Sequence, residues 1–294
     1  METSGKGFRI FSNIVLIIFC VCCIAPLLLL FLSSITSEKA LLNSGYSFFP
    51  QEIGFDAYIY LWTSRAQFLQ AYKMTFLTTI VGTTVNLLIT VMMAYPLSRK
   101  TLPGRGFFAF FIFFTMLFHG GLVPTYLVYS QTLRIKDTFL ALVVPSLLMN
   151  GFGVIIMRTY FTANVPDEII EASRIDGASE MRTLFRVVIP ISKPIIATNG
   201  LMAGLAYWND WLNGMYYIST RTELYTIQNL LNRIITSADF ISNNQANTLV
   251  AGITVPSVGV RMAVAIIAIL PIMIIYPFFQ GAFVKGIVIG GVKG

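Results

Sequence analysis

A chain of 294 residues that is 56% hydrophobic and 11% charged, with a mean hydropathy of +0.75, lies outside the range of soluble globular domains. Apolar runs of about 20 residues cross a hydrocarbon core of about 30 Å as helices, which satisfy their own backbone there, so the sequence predicts an all-α membrane protein. The net charge of +7 then reads as topology and attraction to anionic lipid, and a nucleic-acid partner is excluded.

Six transmembrane helices are expected, over 10–34, 68–98, 107–129, 138–160, 195–218 and 260–284. The first apolar run, Ile10 to Leu32, exceeds the roughly 7–15 residues of a signal-peptide core, and SSITSEKA after it is a poor cleavage site, so it is read as a span. Cys20, Cys22 and Cys23 lie inside it as small hydrophobes and say nothing about redox compartment. Pro26, Pro96, Pro124, Pro145, Pro271 and Pro277 fall within spans, predicting kinked or locally unwound helices. Bent helices can line a cavity, although proline also serves packing alone.

The short connection RKTLPGR after the second span carries Arg99, Lys100 and Arg105, the clearest basic bias in the chain. By the positive-inside rule it is cytoplasmic, which places both termini on the same side. Asn86 puts an amide at membrane depth in the second span, where polar groups face a bundle interior or a partner. His119, the one histidine, stands beside Gly120 and Gly121 in the third span without any Cys/His cluster. A metal site is not expected there; His119 reads as a packing or pore-facing polar residue, with the glycines suggesting close helix approach.

Between the fourth and fifth spans the chain turns charged: EASRIDGASEMRTLFRVVIPISKP over 171–194. Asn164 is a candidate helix cap, Pro166 suits a first turn, and Asp167 and Glu168 suit the positive end of a helix dipole. Ile169, Ala172 and Ile175 recur on one side, Glu171 can pair with Arg174, and Gly177 stops the helix. A second piece from Ser179 carries Met181, Leu184, Phe185 and Val188 inward, and Pro190 and Pro194 break it before the fifth span. The expected unit is a glycine-hinged pair of short helices, pinned at both ends and projecting into the cytoplasm. Pinning rules out a DNA-reading helix-turn-helix and leaves a lever for a protein partner or a solvated loop.

In the fifth span AYWNDW supplies Tyr207, Trp208, Asn209, Asp210 and Trp211 near the outer end, and Asn199 adds an amide near the inner end. Aromatic faces and amides suit sugar contact; the same residues suit an interfacial belt with amide bonds between helices. The outer connections, about 35–66 and 219–259, are long enough to form a docking surface. No G-x-x-x-x-G-K-[ST] phosphate loop occurs, so the chain is not an ATPase. No Asp or Glu sits deep in a span, which counts against a proton- or sodium-coupled carrier working alone.

The stretch EASRIDGASEMRTLFRVVIP resembles the EAA loop of permease subunits in binding-protein-dependent ABC importers, with Glu171, Ala172, Gly177 and Pro190 matching outright. Ser173 stands for an alanine, Val187 for an isoleucine and Ile189 for a leucine. HGGLVPTYLVY, AYWNDW and the tail FFQGAFVKGIVIGGVKG are similar to carbohydrate-uptake permeases of the maltose type, in the oligosaccharide branch. The resemblance implies a type I importer fold in one transmembrane domain over 1–294, with its core at about 68–284, in a bacterial inner membrane. It implies a cytoplasmic coupling loop at 164–194 whose Glu171, Ala172, Ser173, Asp176, Gly177, Ala178 and Pro190 meet an ATPase, with Lys285 and Lys293 of the tail reaching toward it. The implied partners are a second homologous permease, two copies of an ABC ATPase, an extracytoplasmic binding protein and lipid. ATP and Mg are then used by the ATPase subunits, and no cofactor is bound by this chain. Asn86, His119, Asn199, Tyr207, Trp208, Asn209, Asp210 and Trp211 form the candidate substrate path.

Overall fold

The computed structural model describes residues 6–243 and 258–291, with the side chains of 237–243, 276 and 278–291 outside that description. The described residues are mostly helical and hold no strand, only an isolated bridge between Thr36 and Ile53. They divide into two compact units, Met1–Phe68 with Leu230–Pro271, and Leu69–Asn229 with Ile272–Gly294.

In the first unit, α1 (Lys6–Ser34) runs unbroken through Pro26 and leaves apolar side chains exposed on every side, as a helix bathed in lipid does. Ser37 caps α2 (Glu38–Ser44), its Oγ accepting the N–H of Ala40. α3 (Asp56–Thr63) buries Ala57 and Leu61. The Glu38 carboxylate accepts the N–H groups of Val258 (3.1 Å) and Gly259 (3.3 Å) at the start of α15 (Val258–Gly291), where a negative charge meets otherwise unpaired donors. The long α4 covers Arg65–Ser98, and α14 covers Ile227–Asn243.

The second unit holds the broken helices. α5 (Arg105–Leu117) stops at Phe118, and the chain turns by 110° into α6 (Leu122–Leu127) and a π turn over Val128–Thr132. Gly121 at φ +84° makes that turn, so the single helix expected over 107–129 is two. A span over 138–160 is likewise interrupted: α7 (Leu140–Val143) ends before Pro145 and Ser146, which has φ +62°, and α8 (Gly151–Asn164) begins after Asn150 caps it. α12 (Lys193–Trp208) and α13 (Leu212–Tyr217) are separated by Asn209, Asp210 and Trp211. Among the described residues three helices, α1, α4 and the Val258–Ile275 part of α15, are long and apolar enough to cross a membrane, and two bent pairs raise that to five.

The core of this unit joins α4 (Val91, Ala94, Tyr95, Leu97), α5 (Ile112) and α8 (Val154, Met157, Phe161) to Val165, Ile170, Leu184, Val188 and Ile195 farther along. Burial of these side chains, about 1.5–3 kcal/mol for each large one, fastens the charged segment to the apolar helices.

Candidate functional site

The elbow is built as follows. α9 (Asp167–Ile175) opens with Asp167 and Glu168 in its first turn, and Gly177 at φ +76° ends the turn behind it. Ser179 then caps α10 (Glu180–Thr183), which passes through a π turn over Leu184–Val188 into α11 (Ile189–Ile191). The wide turn precedes Pro190, whose ring would otherwise meet the carbonyl of Arg186, and the helix runs on to an 87° bend at Ser192. The bend falls where prolines were expected to break the chain, yet Pro190 is inside a helix.

Several local expectations are corrected. Asn164 closes α8 and donates to the Tyr160 carbonyl instead of capping α9. The buried side of α9 is Ile170, 2% exposed, whereas Ile169 and Ile175 are 41% and 86% exposed. On the second piece Leu184 and Val188 point inward, but Met181 and Phe185 are exposed. Arg174 bridges to Glu180 at 2.7 Å across the glycine turn, not to Glu171. Glu171, Ala172, Asp176 and Gly177 are exposed, Ser173 and Ala178 half-buried, and Ser173 Oγ lies 2.9 Å from Thr183 Oγ1.

The other predicted residues separate. Asn86 and Asn199, 6% and 5% exposed, border one cavity of about 110 Å³ together with Ser146, Asn150 and Gly153. Asn199 Oδ1 would stand 2.8 Å from a Cβ at Gly153, so only glycine lets α8 pass so near that amide. Trp208 borders a different, more apolar cavity of about 320 Å³ with Thr79, Thr83, Gly200 and Gly204, and packs edge-on against Phe76 at 5.1 Å. Tyr207 is a core residue, 1% exposed. Asn209 and Trp211 are surface residues, and Asp210 Oδ1 accepts the N–H of Asn213 at 3.3 Å. His119 is exposed in the turn between α5 and α6, and a Cβ on Gly120 or Gly121 would meet nothing within 4 Å, so the close approach expected there is absent among the described residues.

The interruption at 144–150 explains the amides. A helix that breaks leaves carbonyls without N–H partners, and in an apolar setting they must be satisfied by side chains. Tyr207 Oη donates to Val143 O (2.9 Å), Asn213 Nδ2 to Pro145 O (3.0 Å) and Asn86 Nδ2 to Leu147 O (2.8 Å). Asn213 and Asn150 were not singled out from sequence; the signal available was an amide within each apolar stretch. A second clasp lies at Asp137, whose carboxylate accepts the N–H groups of Ser219 (2.7 Å) and Thr220 (3.0 Å) and the Ser219 hydroxyl (2.9 Å). Burial pulls its pKa up, but these donors outweigh burial and hold it below the ordinary carboxylate range.

Apolar helices broken around an amide-bordered cavity, with a charged elbow set on the same core, define a subunit of a membrane transporter. The chain belongs to the family of binding-protein-dependent transport system inner membrane components, which matches residues 87–289. It is thus an inner-membrane permease subunit of an ABC importer, with the type I permease fold. It is 36% identical over 271 residues to the protein LplC of Bacillus subtilis (strain 168), covering 92% of this chain and 90% of that one. It is 31% identical over 289 residues to the polygalacturonan/rhamnogalacturonan transport system permease protein YtcP of the same organism, covering 97% and 99%. Among solved structures it is similar to a chain from a bacterial ABC transporter involved in the import of the acidic polysaccharide alginate, with a TM-score of 0.80 and 29% identity over 96% of this chain and 100% of that one.

Proposed function

We propose that this permease translocates an oligosaccharide, of the acidic, uronate-containing class, by alternating access driven from the elbow at 164–194. What carries the reading is the match of the family over 87–289 together with a hinged, charged elbow fastened to the same core as the broken helices. The substrate class is supported by two similar proteins, one named for polygalacturonan and rhamnogalacturonan and one for alginate.

In this reading the chain is one transmembrane domain, 1–294 with its core at about 68–284, crossing six times with both termini in the cytoplasm. It pairs with a second homologous permease above two copies of an ABC ATPase, and an extracytoplasmic binding protein delivers the sugar. ATP and Mg belong to the ATPase subunits. Glu171, Ala172, Ser173, Asp176, Gly177, Ala178 and Pro190 form the contact with the ATPase. The exposed Ile169, Ile175 and Met181 add the apolar surface that such a contact buries. Nucleotide binding favours one of two packed arrangements of the helices, and this chain performs no bond chemistry. Of the path residues, Asn86, Asn199 and Trp208 are retained because they border cavities; Tyr207 is assigned to the core.

Affinity purification of the tagged chain tests the assembly. The second permease and the ATPase should both be recovered, and Glu171→Ala or Gly177→Pro should lose the ATPase while keeping the second permease. Uptake of labelled oligogalacturonate by liposomes carrying the assembly should require ATP. Uptake by this chain alone, down an ion gradient, would instead mark a carrier.

A further inference from the structure

The elbow is held by a helix that is remote from it in sequence. Arg99, the residue after α4, has a side chain 8% exposed, and its Nη1 lies 3.0 Å from Asp167 Oδ1 at the first position of α9. Its Nη2 donates to Phe161 O (3.3 Å) on α8, its Nε to Ser98 Oγ (2.9 Å), and its guanidinium lies over the Tyr95 ring at 5.5 Å. One turn earlier Tyr95 Oη donates to Glu180 Oε2 (2.8 Å) at the first position of α10. The other oxygen of Glu180 receives Arg174 from the end of α9 at 2.7 Å. α4 therefore grips the elbow at two points, one on each side of the Gly177 turn, and Arg174 ties those two sides together.

At this joint these polar bonds add to the packing of Ile170, Leu184 and Val188 in the core. A cavity of about 380 Å³ opens beside it, bordered by Tyr95, Arg99, Pro103, Arg174, Glu180 and Met181. A buried guanidinium with several partners has few alternative places to go, while the open space leaves the elbow room to swivel about the grips. The far end of the same helix segment matters as well. Asn86 lies 13 residues before Arg99, about 20 Å along an α-helix, and there bonds the Leu147 carbonyl beside the amide-bordered cavity.

We propose that Tyr95 and Arg99 form a two-point latch that makes α4 a direct limb of the transmission, carrying elbow movement to the cavity wall at Asn86 in parallel with α8 and α12. Both are positioning residues, acting through Glu180 and Asp167 of the elbow. The inference rests on the proposed ATPase contact at the elbow.

The test uses the complete assembly in lipid, with Cys20, Cys22 and Cys23 replaced by alanine and a reporter thiol introduced by Met202→Cys, an exposed residue bordering the cavity. Maleimide labelling of that thiol is measured with and without ATP plus vanadate, alongside ATP hydrolysis and recovery of the ATPase. In this reporter background, Tyr95→Phe keeps the ring and removes one hydroxyl, and Asp167→Asn keeps the shape of the partner of Arg99. Each should retain the ATPase and its hydrolysis while shrinking the nucleotide-dependent change in labelling by about 5-fold or more. Tyr95→Phe combined with Glu180→Gln should be no worse than Glu180→Gln alone, which already releases both Tyr95 and Arg174. Labelling that responds to nucleotide as in the parent, or hydrolysis and labelling falling together in proportion, would overturn the latch. Failure of the parent chain to recover any ATPase would instead overturn the elbow contact itself, and the latch with it.

Discussion

Gly82 and Tyr207 depend on each other. A Cβ at position 82 would stand 2.5 Å from the Tyr207 ring, a distance no side chain tolerates, so the missing methyl is what admits the ring between α4 and α12. Once seated, its hydroxyl serves Val143 O. Gly82→Ala is therefore expected to displace the ring and cost about 1–3 kcal/mol from overpacking, more if the carbonyl is left unpaired. Gly106→Ala, where nothing lies within 4 Å of the new methyl, should leave stability in place. Thermal unfolding of the two variants in detergent compares them. In the sequence Tyr207 is indistinguishable from the other aromatic and polar residues of AYWNDW, which suit sugar contact and an interfacial belt alike. Only the packing separates a buried tyrosine from a tryptophan bordering a cavity.

At the scale of elements, the elbow shows how far periodicity reaches. Composition, Gly177 and the acidic first turn located two short helices and the turn between them. The inward face carries Ile170 rather than Ile169, because a helix of 9 residues with adjacent isoleucines at 169 and 170 offers two faces about 100° apart. The choice belongs to the chain entering from α8, where Phe161 and Val165 are buried in the core that also takes Ile170. Ile170→Ala should cost about 2–5 kcal/mol of stability, as a truncation at a buried position does. Ile169→Ala should leave unfolding nearly unchanged and reduce ATPase recovery on purification. Equal effects of both on unfolding, with none on recovery, would place the contact elsewhere. The Arg174 pairing has the same origin: an i,i+3 partner was available on the helix, but the turn brings Glu180 nearer with better geometry.

Across the whole molecule the interruptions matter most. Asn86→Leu is expected to strand Leu147 O in an apolar setting and cost about 1–3 kcal/mol, while Asn213→Leu, which leaves Pro145 O the Leu147 N–H at 2.8 Å, should cost less. Hydrogen exchange confined to 144–150 would rise in both variants, whereas general loosening would argue against a local role. The sequence by itself determined that the chain lives in lipid, that α1, α4 and the described apolar part of α15 are long helices, and that a charged elbow stands apart from them. Those properties follow from runs of neighbouring residues, and hydrophobicity and local caps suffice to specify them. Tertiary structure alone decided which helices break and where their amides go. A broken apolar helix survives only if donors from elsewhere reach its carbonyls, and here the donors lie 61, 64 and 68 positions away along the chain. No local pattern encodes a partner at that distance, so the cavity bordered by Asn86 and Asn199 came into being only when the helices packed.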